Sequence, residues 1–132
     1  MVESEENIDQ HKEIADLCVE FWKLAKGTAK AIKLLPEAEG KRLAAQIRYS
    51  ERQLERLSQE LGLRLVDFES EDFHPGLAAS ADNAEDFDDG TPLVVTKTLE
   101  PTVVQDMRVV RTGRVLVELD PSTKEKPNVS WY

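Results

Sequence analysis

The sequence predicts an α+β protein: an N-terminal helical hairpin, forming a four-helix bundle on dimerisation, followed by a small β-rich domain. Three observations carry this. Apolar residues recur at steps of three and four as far as Leu61, Gly62 then breaks that period, and Val- and Thr-rich runs of strand length follow up to Leu119. With 132 residues there is room for one ordinary domain, or for two small units that complete each other's core.

The first helix is expected from about Ile8 to Leu35. Its apolar positions are Ile14, Leu17, Cys18, Phe21, Leu24, Ala25, Ala29, Ile32 and Leu35, while Asp16, Glu20, Lys23, Lys26 and Lys30 lie on the opposite face. Pro36 interrupts it, because a proline inside a helix loses a hydrogen bond and clashes with the preceding turn, yet suits the first turn of a new one. A second helix is expected from about Glu37 to Leu61, with the stripe Leu43, Ile47, Leu54, Leu57 and Leu61, and Gly62 as its C-terminal cap. Arg48, Glu51, Arg52, Glu55, Arg56 and Glu60 form a solvated face with ion pairs three and four apart.

Two helices with one wide stripe each leave apolar surface uncovered. Two such hairpins from two chains make a four-helix bundle, so a homodimer is expected, with Leu17, Phe21, Leu24, Ile32, Ile47, Leu54 and Leu57 in the interface. The alternative is that the stripes pack on the chain's own β domain.

After Gly62, Leu63, Leu65 and Phe68 begin a short extended segment. FESEDFHPG reads as loop, with Pro75 and Gly76 as breakers, and residues 79–92 as an acidic loop. Three strand-like runs follow, 93–100, 101–107 and 108–119, the middle one weakened by Pro101. The organisation expected is therefore a helical dimerisation segment over 1–62, a β-rich partner-binding domain over 63–120 and a polar tail over 121–132 that ends in Trp131 and Tyr132.

Charge narrows the functional classes. The net charge is −9, and it is uneven: residues 1–62 hold 12 acids and 10 bases, residues 63–132 hold 14 acids and 7 bases. Such a field repels phosphate backbones and anionic lipid, so neither nucleic acid nor a membrane surface is an expected partner. The start has neither the basic nor the apolar region of a secretory signal, and no apolar stretch reaches the roughly 20 residues of a membrane span, so a cytoplasmic protein is expected. The single cysteine, Cys18, excludes a disulfide within the chain.

No catalytic constellation is apparent, and the chain reads as non-enzymatic. His11 and His74 are the only histidines, and with Cys18 they lack metal-ligand spacing. The acids Asp82, Glu85, Asp86, Asp88 and Asp89 invite calcium, but with Gly90 as the turn glycine of an EF-hand loop the ligand positions become Glu85, Phe87 and Asp89, and Phe87 has no oxygen to give. Asn128-Val129-Ser130 matches a glycosylation acceptor that has no meaning without secretion. No glycine-rich loop cradles a phosphate. No cofactor and no metal is expected.

From about residue 15 to 119, about four fifths of the chain, the sequence resembles the GrpE family of nucleotide exchange factors for DnaK-type chaperones. EFWKLAKGTAKAIKLL is similar to that family's first bundle helix, and AAQIRYSERQLERLSQELGLRLVDF to its second bundle helix running into the first strand. FHPGLA (73–78) resembles its Phe-Asp-Pro-x-x-His motif, keeping Phe73, Pro75 and Leu77. LEPTVVQDMRVVRTGRVLV (99–117) is similar to its closing hairpin, with Arg108 and Arg111 three apart. The departures are His74 for the acid, Ala78 for the histidine, and Pro101-Thr102-Val103 where the family has Lys-Gly-Tyr; the long preceding coiled coil is missing or cut to the residues before Asp16. The resemblance implies a homodimeric co-chaperone whose β domain binds the chaperone's ATPase domain and promotes ADP release, with Phe73, Pro75, Leu99, Arg108, Arg111 and Val117 as contacts. A dimeric adaptor that docks another protein through its β domain, without exchange activity, is the competing expectation.

Overall fold

The computed structural model describes residues 2–121. The expected tail, with Trp131 and Tyr132, lies outside the described residues apart from Pro121.

Two helices open the chain: α1 (Val2–Ile32) and α2 (Glu37–Glu60). The first begins earlier than the apolar stripe announces, since its leading turns are polar and side-chain periodicity carries no signal there. Pro36 precedes α2, and its carbonyl accepts the Gly40 N–H at 2.9 Å, so the proline stops one helix and starts the next. At the far end Gly62 adopts φ +74° and donates its N–H to the Gln59 carbonyl at 2.9 Å, the left-handed glycine cap that ends many helices. Ion pairs Glu37–Lys41 (3.0 Å) and Arg56–Glu60 (3.0 Å) dress the solvent face of α2 at the four-residue spacing.

Seven strands follow: β1 (Leu63–Val66), β2 (Asp72–Phe73), β3 (Ala79–Ala81), β4 (Leu93–Glu100), β5 (Thr102–Gln105), β6 (Arg108–Arg111) and β7 (Gly113–Leu119). They make a three-stranded sheet of order β1-β5-β6 and a four-stranded sheet of order β2-β4-β7-β3. The architecture is thus α+β, with two helices leading into a β-rich region of two sheets. No helix among the described residues is long and apolar enough to cross a membrane.

Two expectations need correction in detail. The run over 108–119 is two strands in different sheets, β6 and β7, separated at Thr112. The segments read as loop contain β2 and β3, each too short to show alternation. The chain also forms two compact units. One compact unit holds the residues up to Leu65 together with Val103–Arg111; the other holds Val66–Thr102 and the chain from Thr112 on.

In the first unit the core is Ala15, Val19, Leu63 and Val103, with Ile14, Leu65 and Val110 packed around it. Helix α1 therefore covers the three-stranded sheet with small residues. Cys18, also buried, lies 3.4 Å from the Ser58 hydroxyl of α2. In the second unit Val95, Val115 and Val117 are the core, surrounded by Phe68, Phe73, Leu77, Phe87 and Leu93. Here β4 and β7 pair antiparallel, Val95 opposite Val117, while β3 joins β7 in parallel. The Asn83 side chain locks the unit by accepting from the Val117 N–H and donating to its carbonyl, both at 2.9 Å.

Candidate partner-binding surfaces

The first surface is the turn between β5 and β6. These strands pair antiparallel with Gln105 opposite Arg108, leaving Asp106 and Met107 as a two-residue loop. Both have positive φ, +48° and +69°, the mirror-image turn whose twist suits a hairpin and which ordinarily takes Asn-Gly. A methionine there is unusual, because a side chain in the left-handed region is strained by its own backbone. Its side chain is 100% exposed, and Val109, two residues on, is exposed as well.

The turn is braced from below. Gln105 is buried, and its amide nitrogen donates to the Leu61 carbonyl (3.0 Å) and to His11 Nδ1 (2.6 Å), tying the strand to the end of α2 and to α1. A side chain at Gly62 would stand 3.3 Å from Asp106 Oδ1, so the helix cap and the turn are in close approach. Gln59, Leu63, Arg64, Val104 and Met107 line a groove of about 580 Å³ beside it. Arg108 begins β6 in solvent. Arg111, at the other end of the strand, is half-buried and donates to Asp16 Oδ1 of α1 at 2.9 Å.

The remaining predicted contact residues belong to the second unit. Phe73 stands opposite Leu93 and packs against the valine core. Pro75 is exposed in a tight turn closed by the His74 carbonyl and the Leu77 N–H at 2.9 Å. Leu99 is half-buried on β4. Val117 is 0% exposed, so it is a core residue and has no surface to offer a partner. The predicted set therefore divides: Phe73 and Val117 share one core, whereas Arg108 and Arg111 share a strand of the other unit.

The second surface lies on the hairpin of α1 and α2. Successive residues of a helix turn by 100°, so Leu17 points nearly opposite to Ala15 and Val19, which are buried on the sheet. Leu17 is 70% exposed, and Leu24, seven residues on, is 67% exposed; Leu57 of α2 is exposed too. Phe21 and Leu24 face Leu43 and Ser50 across an open groove of about 210 Å³. Ile47 borders this groove and the one on the reverse side, so it marks the seam of the hairpin rather than its outer face. Ile32 and Leu54 are likewise half-buried.

Electrostatically, the clearest perturbation is structural. Arg114 of β7 is hydrogen-bonded to Asp82 and approaches Glu100 at 3.7 Å. That hydrogen bond holds the Asp82 carboxyl below the usual aspartate range and raises the guanidinium above its own, the pair's mutual attraction adding to both. Among the described residues no group of three or more His, Cys, Asp or Glu side chains is placed to hold a metal ion.

Sequence reasoning missed Met107, Val109 and Arg64 as surface features, and Ala15 and Val19 as core. The one signal for the turn was the pair Asp106-Met107 interrupting a valine-rich run. Compared with protein-family models, with curated proteins and with solved structures, the chain finds no match in any of the three.

Proposed function

We propose that this chain is a GrpE-type co-chaperone: a homodimer that engages the ATPase domain of a DnaK-type chaperone through its β-rich region and promotes release of ADP. The observation that carries the reading is the braced β5–β6 turn. It presents Arg108 to solvent, flanked by Met107 and Val109, on a base held by Gln105. An arginine beside exposed apolar side chains on a rigid support is the composition of a binding hot spot. The leucine face of the helical hairpin supports dimerisation, since a helix that already buries Ala15 and Val19 keeps Leu17 and Leu24 in water on its other side.

The mechanism is a population shift. A factor that binds the open, ADP-releasing form of the ATPase domain more tightly than the closed form accelerates release, and by reciprocity bound nucleotide weakens the factor. A coupling of about 1–3 kcal/mol is the common scale, corresponding to roughly 5- to 150-fold. Arg108 and Pro75 are the contacts of the expected set that are exposed; Val117 is buried.

The test is stopped-flow release of fluorescent ADP from a DnaK-type ATPase domain of the same source. Acceleration by the wild type and its loss in Arg108→Ala are expected. A correctly folded dimer that binds the domain without accelerating release would leave the adaptor reading in its place.

A further inference from the structure

The described residues hold two sulfur atoms in opposite environments. Cys18 is 1% exposed and sits beside the Ser58 hydroxyl, sealed between helices. Met107 is fully exposed at the tip of a hairpin, on a backbone of left-handed φ. The chain contains one other methionine, Met1, and no other cysteine. Sulfur oxidation follows access, so an oxidant meets Met107 and does not meet Cys18.

We propose that Met107 is a modification site: peroxide converts it to the sulfoxide, and the sulfoxide weakens the contact made by the β5–β6 turn. The chemistry balances simply. The thioether sulfur attacks one peroxide oxygen, an S–O bond forms as the O–O bond breaks, and the second oxygen leaves as water; the sulfur is oxidised by two electrons and the peroxide reduced. A dithiol reductant reverses it, giving back the thioether, water and a disulfide. The product is a polar, strongly accepting group where an apolar one stood. Burying it in an interface without a donor opposite it opposes binding, with an expected loss on the order of tenfold in affinity. Met107 is suited to such a role because the strand beneath the turn is tied by Gln105 to Leu61 and His11, so oxidation changes the tip and not those bonds.

The effect on binding rests on the reading of this turn as the chaperone contact, and the experiment separates the two. The full chain is treated with hydrogen peroxide and digested with trypsin. The peptide 98–108 is expected to gain one oxygen while the Cys18 peptide gains none, and in Met107→Leu the 98–108 peptide is expected to stay unmodified. Oxidation of Cys18 before Met107, or a Met107 inert under conditions that oxidise free methionine, overturns the site. ADP release is then measured with untreated, oxidised and reductase-repaired protein. The oxidised wild type is expected to need about tenfold more protein for half-maximal acceleration, repair to restore it, and peroxide-treated Met107→Leu to match untreated Met107→Leu, whatever the activity of that variant. Equal activity of oxidised and untreated wild type overturns the switch. No acceleration by the untreated protein overturns the exchange reading and the switch built on it, while the peptide masses still decide the site.

Discussion

Replacing Leu17 and Leu24 together by glutamate is expected to abolish dimerisation without unfolding the protomer. Full burial of a leucine side chain is worth about 1.5–3 kcal/mol. Leu17 and Leu24 are 70% and 67% exposed, so each has about two thirds of that, about 1–2 kcal/mol, still to gain. A twofold interface buries both residues from both protomers, and four side chains amount to about 4–8 kcal/mol, or roughly three to six decades in the dissociation constant. Glutamates facing each other across the seam add charge desolvation to the loss. Light scattering with sedimentation equilibrium reads the outcome. The wild type is expected at twice the 14.9 kDa chain mass at micromolar concentration, and the double variant at the chain mass. Leu34→Glu, which alters an exposed leucine in the turn after α1, serves as the control that keeps the dimer. Far-ultraviolet circular dichroism should be unchanged in all three, because none of these side chains is buried in the protomer. A wild type that remains at the single-chain mass, or a double variant that still dimerises, refutes the reasoning.

Three further outcomes follow from local geometry. Gly113→Ala places a methyl 2.6 Å from the Glu100 carbonyl oxygen and 2.7 Å from the Thr102 nitrogen, and it disturbs the Gly113 N–H donated to Thr102 Oγ1 at 2.9 Å; a loss of about 2–4 kcal/mol is expected, seen as a fall of about 10 °C in Tm. A variant as stable as wild type would show that the strands have slack there. Gln105→Ala strips the donor from the Leu61 carbonyl and from His11, costing about 1–3 kcal/mol, with amide hydrogen exchange quickening at the end of α2. Unchanged exchange there would mean the brace is not holding the helix end. Because the Asp82 carboxyl is held below its ordinary range, its contribution is present above that range and disappears as pH falls through the lowered value. The stability difference between wild type and Asp82→Asn is therefore expected to be constant near neutrality and to shrink only in acid below about pH 4; a difference that grew on acidification would contradict the assigned direction.

Much of the helical half is legible because one mechanism dominates it. Leu17, Phe21, Leu24 and Ile47 recur at helical spacing, Pro36 cannot continue a helix, and Gly62 readily takes the left-handed cap. Which face goes where is less legible. The stripe drawn through the large residues omits Ala15 and Val19, yet these are the fully buried ones, since a helix lying on a sheet comes close only where its side chains are small. Leu17 and Leu24, large residues of that stripe expected in a dimer interface, are exposed in the protomer. Size predicts hydrophobic gain and says nothing about the distance between backbones.

The β half shows the opposite balance. Strand β4 is readable over its full length, Leu93–Glu100, because eight residues suffice for β-rich composition to accumulate, while Asp72–Phe73 and Ala79–Ala81 are defined by partners far away in the chain. After the break at Thr112, Gly113 starts a new strand in the other sheet, so close to the backbone of Glu100 and Thr102 that no side chain fits there. The contact set expected over 99–117 is accordingly split between the two units. Leu99 and Val117 belong to the unit built on β4 and β7, and Arg108 and Arg111 to the unit that contains α1. A motif contiguous in sequence supplies one unit's core and another unit's rim, so each residue in it has to be judged by its own burial. By that measure Val117 belongs to the core of the four-stranded sheet, Arg111 ties β6 to Asp16, and Arg108 and Met107 are left exposed beside a strand that Gln105 ties to the end of α2.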